Sequence, residues 1–212
     1  MTYERIELLK SKLFENKREV SIERALLYME SHQKTEGEPA IIRRAKATAH
    51  ILDNVEISIR AGELIAGNRT IKPRSGILSP EMDPYWIYDE LDTLESRPQD
   101  KFFISEQDKK LYREVLYPYW QGKSLKDYIN SKLTPEVKEP IELKIVKLNQ
   151  TDKGQGHIIA DFKGLLNSGL GKIIEEALAL SQKHPDNDFY RAALIVLEAS
   201  KKHILRYAEL AK

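Results

Sequence analysis

The sequence predicts a mainly α-helical protein with one or two short strands. Most segments of its 212 residues repeat apolar side chains every three or four positions, the spacing that lines one face of a helix. Capping residues and prolines recur between these segments. Only residues 55–60 alternate apolar and polar side chains with a period of two, which favours a short extended segment.

Three helices are predicted ahead of that extended segment. The first covers residues 3–16, and Ser21 is the expected N-cap of the second. Gly37 and Pro39 end the second helix and separate it from the third. The third helix is expected to bury four apolar residues: Ile42, Ala45, Ala49 and Leu52. Three cations are interpreted as its solvated outer face: Arg43, Arg44 and Lys46.

Residues 68–81 are predicted to be irregular, because prolines, glycines and cations occur there without periodicity. Arginine offers a planar fork of donors, so this segment could bind a phosphate or a carboxylate. No phosphate-binding glycine motif accompanies it. We therefore favour the interpretation that Arg69 and Arg74 tie the loop to neighbouring carboxylates or carbonyls.

Short helices are predicted through the middle of the chain, where prolines and capping residues introduce each one. The expected starts are Pro84, Ser105, Ser124 and Thr134. An aromatic cluster at residues 117–120 is interpreted as core packing. Residues 136–148 contain a proline and mix the two periods, so helix and strand both stay open there.

Residues 149–171 form a Gly-rich loop that leads into a helix and offers two groups with chemistry. His157 supplies an imidazole, and Asp161 supplies a carboxylate four residues later. Taken alone, Asp161 is best interpreted as the N-cap of a helix from Phe162, and His157 as a structural residue of a tight loop. A last helix is predicted over residues 189–211. Its residues 192–197 are apolar nearly all round, so we expect the helix to need cover on several sides.

The charge balance and the termini limit the possible partners. A formal net charge of +1 argues against nucleic acid and against an anionic membrane surface. No apolar run approaches the roughly 18 residues that a membrane span needs. The first residues are typical of an amphipathic helix that contains acids and not of a signal peptide, so a cytoplasmic protein is expected.

Metal and thiol chemistry are limited as well. No paired histidine spacing occurs, so no metal is expected. Four histidines lie within or beside predicted helices and are interpreted as packing or surface residues: His32, His50, His184 and His203. The 212 residues contain no cysteine, which excludes disulfides, thiolate metal sites, iron–sulfur clusters and a thiyl radical within them.

Three stretches together resemble glycyl radical enzymes of the pyruvate formate-lyase type. The first is residues 62–70 with 73–76 and 80–81. The second is residues 156–162, which resembles the Gly-His-x-x-Pro-Asp-Tyr motif of that family with alanine and phenylalanine in place of its proline and tyrosine. The third is residues 189–211. The similarity is closest in character to the branch that contains glycerol and diol dehydratases and choline trimethylamine-lyase.

The resemblance implies a fold and an activity. In this family a glycyl radical near the C-terminus abstracts hydrogen from a cysteine inside a ten-stranded α/β barrel, and the thiyl radical attacks the substrate. A radical S-adenosylmethionine activating enzyme installs the radical. Residues 1–212 would then be the N-terminal, mostly helical segment of one such domain, with no second complete domain. The catalytic cysteine and the Arg-Val-x-Gly-Tyr loop are both missing from these residues, so no catalytic residue is expected here and the chain alone would be inactive.

The resemblance also implies partners and site residues. The partners are the remainder of the enzyme, the activating enzyme and a small hydroxylated substrate, and the complete enzyme would be a homo-oligomer. His157 resembles a histidine that donates a hydrogen bond to a substrate hydroxyl or assists its loss as water. Asp161 would accept a hydroxyl hydrogen bond or orient the loop.

A second hypothesis needs no radical chemistry. The chain could be a free-standing helical interaction module, a truncated paralogue that binds a glycyl radical enzyme or its activator. It would then fold alone and keep one exposed apolar patch.

Overall fold

The computed structural model of the protein describes residues 3–146 and 159–212. Within these ranges the α-helices are α1 (Tyr3–Glu15), α2 (Glu23–Lys34), α3 (Ala40–Asn54), α4 (Pro84–Glu90), α5 (Glu106–Leu111), α6 (Tyr117–Trp120), α7 (Leu125–Lys132), α8 (Pro135–Glu142), α9 (Phe162–Lys183) and α10 (Asp188–Leu210). A π-helical turn, Tyr112–Leu116, joins α5 to α6, and the strands are β1 (Glu19–Ser21) and β2 (Ser75–Ile77). The prediction of a mainly helical chain with two short strands is confirmed.

The described residues divide into two compact units. Unit 1 contains the described residues up to Ile77 together with those from Ile159 to Lys212. Unit 2 contains the described residues from Leu78 onward, through α8. In the described ranges, no helix combines the length and the apolar character that are needed to cross a membrane.

The centre of unit 1 is the contact between α3 and α10. Ile42 and Ala45 of α3 are buried against Ala192 of α10, and Ile195 and Val196 pack beside them. Small side chains on both helices allow the two backbones to approach closely. On α3 the buried set is therefore partly as predicted, because Ala47 is buried while Ala49 and Leu52 are half-buried.

A second set of contacts joins the same two helices through polar groups. The Arg206 guanidinium donates to the carbonyl oxygens of Leu52 at 2.6 Å and Val55 at 2.8 Å. Nδ1 of His203 lies 2.7 Å from the same Leu52 oxygen. The last carbonyls of a helix have no partner within it, so a cation placed there satisfies them and faces the negative end of the helix dipole. Residues of α10 thus cap the C-terminus of α3.

The cations of α3 correct one prediction. Arg43 is half-buried and not solvated, because its guanidinium donates to Nδ1 of His32 at 2.9 Å and to the His32 carbonyl at 2.7 Å. Arg44 is exposed as predicted. Lys46 lies 2.6 Å from Glu38 in an ion pair.

The strands lie elsewhere than the sequence pattern indicates. β1 and β2 form a parallel pair with Val20 opposite Gly76. Residues 55–60 form no strand, because side chains bind their backbone in place of a neighbouring strand: Arg206 binds the Val55 carbonyl, and Glu23 accepts from the Glu56 N–H at 2.8 Å.

Ser21 is likewise not the N-cap of the second helix. It is the last residue of β1, and Ile22 occupies the N-cap position of α2 without a side-chain hydrogen bond.

Lys72 and Thr70 bind backbone groups next to the strand pair. The Lys72 ammonium donates to the Val20 carbonyl of β1 at 2.7 Å, and the Thr70 hydroxyl accepts the Lys72 N–H. Polar side chains thus help to hold the strand pair in place.

Unit 2 consists of short helices with the predicted starts. Proline occupies the first turn of α4 and α8, and the side chains of Asp83, Ser105 and Ser124 accept N–H groups at the starts of α4, α5 and α7. α8 also resolves the open choice over residues 136–142 in favour of helix. In the aromatic cluster only Trp120 is buried, and the Tyr119 ring meets it edge-on at 5.1 Å.

The shifted pKa values of Tyr112 and Asp127 reflect how unit 2 is packed. Burial raises the pKa of Tyr112, whose hydroxyl donates to the Pro84 carbonyl at 2.8 Å. Burial alone would raise the pKa of Asp127 as well. Hydrogen bonds from the Ser124 and Tyr85 hydroxyls and from backbone N–H groups outweigh this effect and hold the Asp127 pKa below its ordinary value. These shifts reflect hydrogen bonds that join the short helices of unit 2.

Candidate functional site

The segment that carries the predicted site, residues 149–171, is only partly described. His157 lies outside the described residues, so its role stays a prediction. Asp161 and the helix that follows it are described, together with the other motif segments of unit 1.

Asp161 is the N-cap of α9. Its Oδ1 accepts the backbone N–H of Gly164 at 2.8 Å, which satisfies one of the free donors of the first turn. A Cβ atom on Gly164 would lie 2.2 Å from Asp161 Oδ2, so a larger residue at this position would displace the capping carboxylate. The N-cap interpretation is confirmed. The hydrogen bond to Gly164 fixes the direction of the Asp161 carboxylate. The Asp161 side chain is exposed, so the carboxylate is accessible to a ligand hydroxyl.

The start of α9 exposes large apolar side chains beside this carboxylate. The exposed fractions are 98% for Ile159, 66% for Phe162 and 84% for Leu166. Gly169 has φ +72° and ψ 159°, so α9 consists of two helical pieces that meet at this glycine. The first piece therefore presents an apolar surface that the described part of unit 1 does not cover.

The first motif segment, residues 62–70, is held in place by a different set of residues from those expected. The Arg5 guanidinium donates to the Gly62 carbonyl, and the Tyr207 hydroxyl accepts the Asn68 N–H at 3.1 Å. The prediction assigned this tie to Arg69 and Arg74, but Arg5 supplies it. Arg69 is exposed, and Arg74 lies over the Phe14 ring at 5.0 Å.

The remaining histidines lie in packing or surface positions, as predicted. His50 pairs with Glu30 at 3.1 Å, His203 contacts the end of α3, and His184 stacks on Tyr190. Among the described side chains, no group of three or more His, Asp or Glu residues is placed to hold a metal ion.

Two residues that matter for this region were missed by sequence reasoning. Arg206 and Tyr207 lie next to each other on α10, and their polar ends bind backbone groups of residues 52–68. A polar pair inside a largely apolar helix is a signal that such ties exist, although it does not name their partners.

The chain matches known proteins over its whole length. A family model described as pyruvate formate lyase-like matches residues 1–212. The chain is 32% identical to the (2S)-3-sulfopropanediol dehydratase of Klebsiella oxytoca, over 99% of this chain and 27% of that protein. It is 36% identical to the probable dehydratase YbiW of Escherichia coli K12, over 91% of this chain and 25% of that protein.

A solved structure matches equally well. The glycerol-bound B12-independent glycerol dehydratase of Clostridium butyricum superposes with a TM-score of 0.92 and 38% identity, over 100% of this chain and 28% of that chain. The chain thus spans about a quarter of the length of the relatives that it matches.

Proposed function

Because this chain belongs to the pyruvate formate lyase-like family, we propose that it forms the N-terminal part of a glycyl radical enzyme that dehydrates or cleaves a small hydroxylated substrate. One observation carries the proposal: the whole chain superposes on part of a glycerol dehydratase. Relatives named for a sulfonated propanediol and for glycerol support a substrate with neighbouring hydroxyl groups.

The residues of this chain do not include the radical groups of the family. The sequence has no cysteine and no Arg-Val-x-Gly-Tyr segment, so the rest of the enzyme would supply both the thiyl cysteine and the radical glycine. In this proposal a radical S-adenosylmethionine enzyme activates the complete enzyme, which assembles as a homo-oligomer. Units 1 and 2 are then parts of one domain and are inactive without the remainder.

His157 and Asp161 are proposed to contact the substrate. A hydroxyl group leaves carbon more easily as water than as hydroxide, so a protonated imidazole at His157 would assist its departure as a general acid. The Asp161 carboxylate is an acceptor for a second hydroxyl. Its bond to Gly164 supports this role, because it fixes the direction of the carboxylate.

The test uses the native protein, purified without oxygen and activated by a radical S-adenosylmethionine enzyme. Aldehyde formation from glycerol and from 1,2-propanediol is measured. We expect turnover, and we expect His157→Ala to lower kcat by a factor of about 100 or more, the typical contribution of a general acid. Turnover that is unchanged in His157→Ala would contradict the assigned role, and absence of any aldehyde would contradict the proposed reaction.

Asp161 needs a matched pair of variants because it also caps a helix. Asparagine is as good an N-cap as aspartate, whereas alanine is a poor one. Asp161→Asn is expected to keep the helix content and to raise KM for the diol. Asp161→Ala is expected to lower the helix content as well as raise KM. Equal KM values for the parent and Asp161→Asn would leave Asp161 with a capping role alone.

The interaction-module hypothesis remains the second candidate. The buried contact between α3 and α10 favours it, because a chain with its own core could fold alone and bind a partner. It predicts saturable binding of the 212-residue chain to a glycyl radical enzyme or its activator. Absence of binding to both in a titration would reject it.

A further inference from the structure

Residues 62–68 form a loop that is fixed at both ends. The Arg5 side chain of α1 donates from Nε at 2.9 Å and from its terminal nitrogen at 2.5 Å to the Gly62 carbonyl. At the other end, the Tyr207 hydroxyl of α10 accepts the Asn68 N–H at 3.1 Å and donates to the Asn68 carbonyl at 3.4 Å. We call this segment the 62–68 loop.

The middle of the 62–68 loop exposes two neighbouring branched apolar side chains. Leu64 is 66% exposed and Ile65 is 90% exposed. The charge of Glu63 is already paired, because its carboxylate accepts the Arg60 N–H at 3.0 Å and lies 3.2 Å from the guanidinium. The ties at both ends restrict the backbone of the loop while these two apolar groups face outward. A rigid loop that presents apolar groups outward has little conformational freedom left to lose on binding.

We propose that the 62–68 loop is a docking element that inserts Leu64 and Ile65 into an apolar pocket of the part of the enzyme outside residues 1–212. This inference rests on the proposed function. The relatives carry about three quarters of their length beyond the region that matches, so the occupant is a body much larger than this chain. The loop also belongs to one of the segments that carry the family resemblance.

The exposed cation of Arg69 indicates the charge expected at the edge of that pocket. It also argues against a second copy of this chain as the occupant. Arg69 directly follows the loop and is exposed, so an acidic side chain is expected beside the pocket. In a two-fold contact between copies the same patch faces itself. Such a contact would place the Arg69 cation of each copy near the other.

Photo-crosslinking in the native protein tests the proposal. p-Benzoylphenylalanine replaces Ile65 in one sample and Tyr3 in a matched control, since Tyr3 is 86% exposed and lies on α1. Leu64 is replaced in a third sample, and circular dichroism checks that each variant is folded. Before irradiation, mass spectrometry establishes whether the purified protein contains polypeptide with the cysteine and Arg-Val-x-Gly-Tyr segments.

The expected result is a crosslink from positions 64 and 65 to a peptide outside residues 1–212. The control sample with the crosslinker at position 3 should not give that product. If the radical segments are present but positions 64 and 65 give no such product, or link only to residues 1–212 of a second copy, the docking inference fails and the proposed function stands. If the radical segments are absent from the native protein, the proposed function fails and the docking inference fails with it.

Discussion

The contact between α3 and α10 buries its apolar side chains, whereas residues 62–67 and 159–166 expose theirs. Ile42 is 2% exposed and Ala192 is 6% exposed, whereas Ile65 is 90% exposed and Ile159 is 98% exposed. Both regions lie in unit 1. The helix contact stabilises the chain, while residues 62–67 and 159–166 contribute little burial. Of the stretches that carry the family resemblance, residues 189–211 thus supply half of the buried helix contact, whereas residues 62–67 and 159–162 are mostly exposed.

The largest effect is expected from Ile42→Ala in the 212-residue chain. Removing a buried isoleucine side chain loses its burial and leaves a cavity, so the free energy of unfolding should fall by about 3 kcal/mol. Urea unfolding followed by circular dichroism measures it. Ile41→Ala is the matched control, because the neighbouring Ile41 is 41% exposed and should cost less than about 1 kcal/mol. Equal losses in the two variants would contradict the assignment of the core.

The next largest loss in the free energy of unfolding is expected from Arg206→Met. Methionine keeps an apolar stem but leaves the Leu52 and Val55 carbonyls without their charged donor, which should cost about 2 kcal/mol. The same unfolding measurement applies. Lys202→Met removes an exposed cation from the same helix and should change stability by no more than about 0.5 kcal/mol. If both substitutions have the same small effect, α10 does not cap α3 in solution.

Tyr207→Phe should have a smaller and more local effect. The lost hydroxyl releases the Asn68 end of the 62–68 loop at a cost of about 1 kcal/mol. Hydrogen exchange should therefore become faster at the Asn68 amide. Tyr190→Phe removes a hydroxyl near the other end of α10 and should leave that amide unchanged. An Asn68 amide that exchanges at the parental rate in Tyr207→Phe would mean that the hydroxyl does not hold the loop.

The smallest effect is expected from Ile65→Ser in the isolated chain. An exposed side chain contributes little to folding, so the free energy of unfolding should change by no more than about 0.5 kcal/mol. Its solubility should rise because an apolar group leaves the surface. A loss comparable with that of Ile42→Ala would show that the loop belongs to the core of the chain.

Local signals in the sequence predicted much of this structure. A helix start depends on residues within a few positions of each other, so the local sequence pattern is sufficient to predict it. This holds for the helix starts at Pro84, Ser105, Ser124 and Asp161. The family resemblance is confirmed by the comparisons. The substrate-contact roles of His157 and Asp161 stay predictions.

Contacts between distant residues were the ones that pattern reasoning missed. Residues 55–60 alternate like a strand, yet Arg206, 151 residues after Val55, binds their first carbonyl. β1 instead pairs with β2, more than fifty positions away along the chain. Arg43 looked solvated because periodicity places it on an outer face, but it faces His32 of the preceding helix. Such partners depend on tertiary packing, which a local pattern does not contain.

Hydrogen exchange tests the central claim most directly, when the native protein is compared with the isolated 212-residue chain. The buried helix contact, residues 42–52, should be equally protected in both samples. Residues 62–67 and 159–166 should be protected only in the native protein, because the proposed remainder of the enzyme would cover them there. If these two segments exchange equally fast in both samples, the account of an N-terminal part covered by the remainder of a glycyl radical enzyme is contradicted.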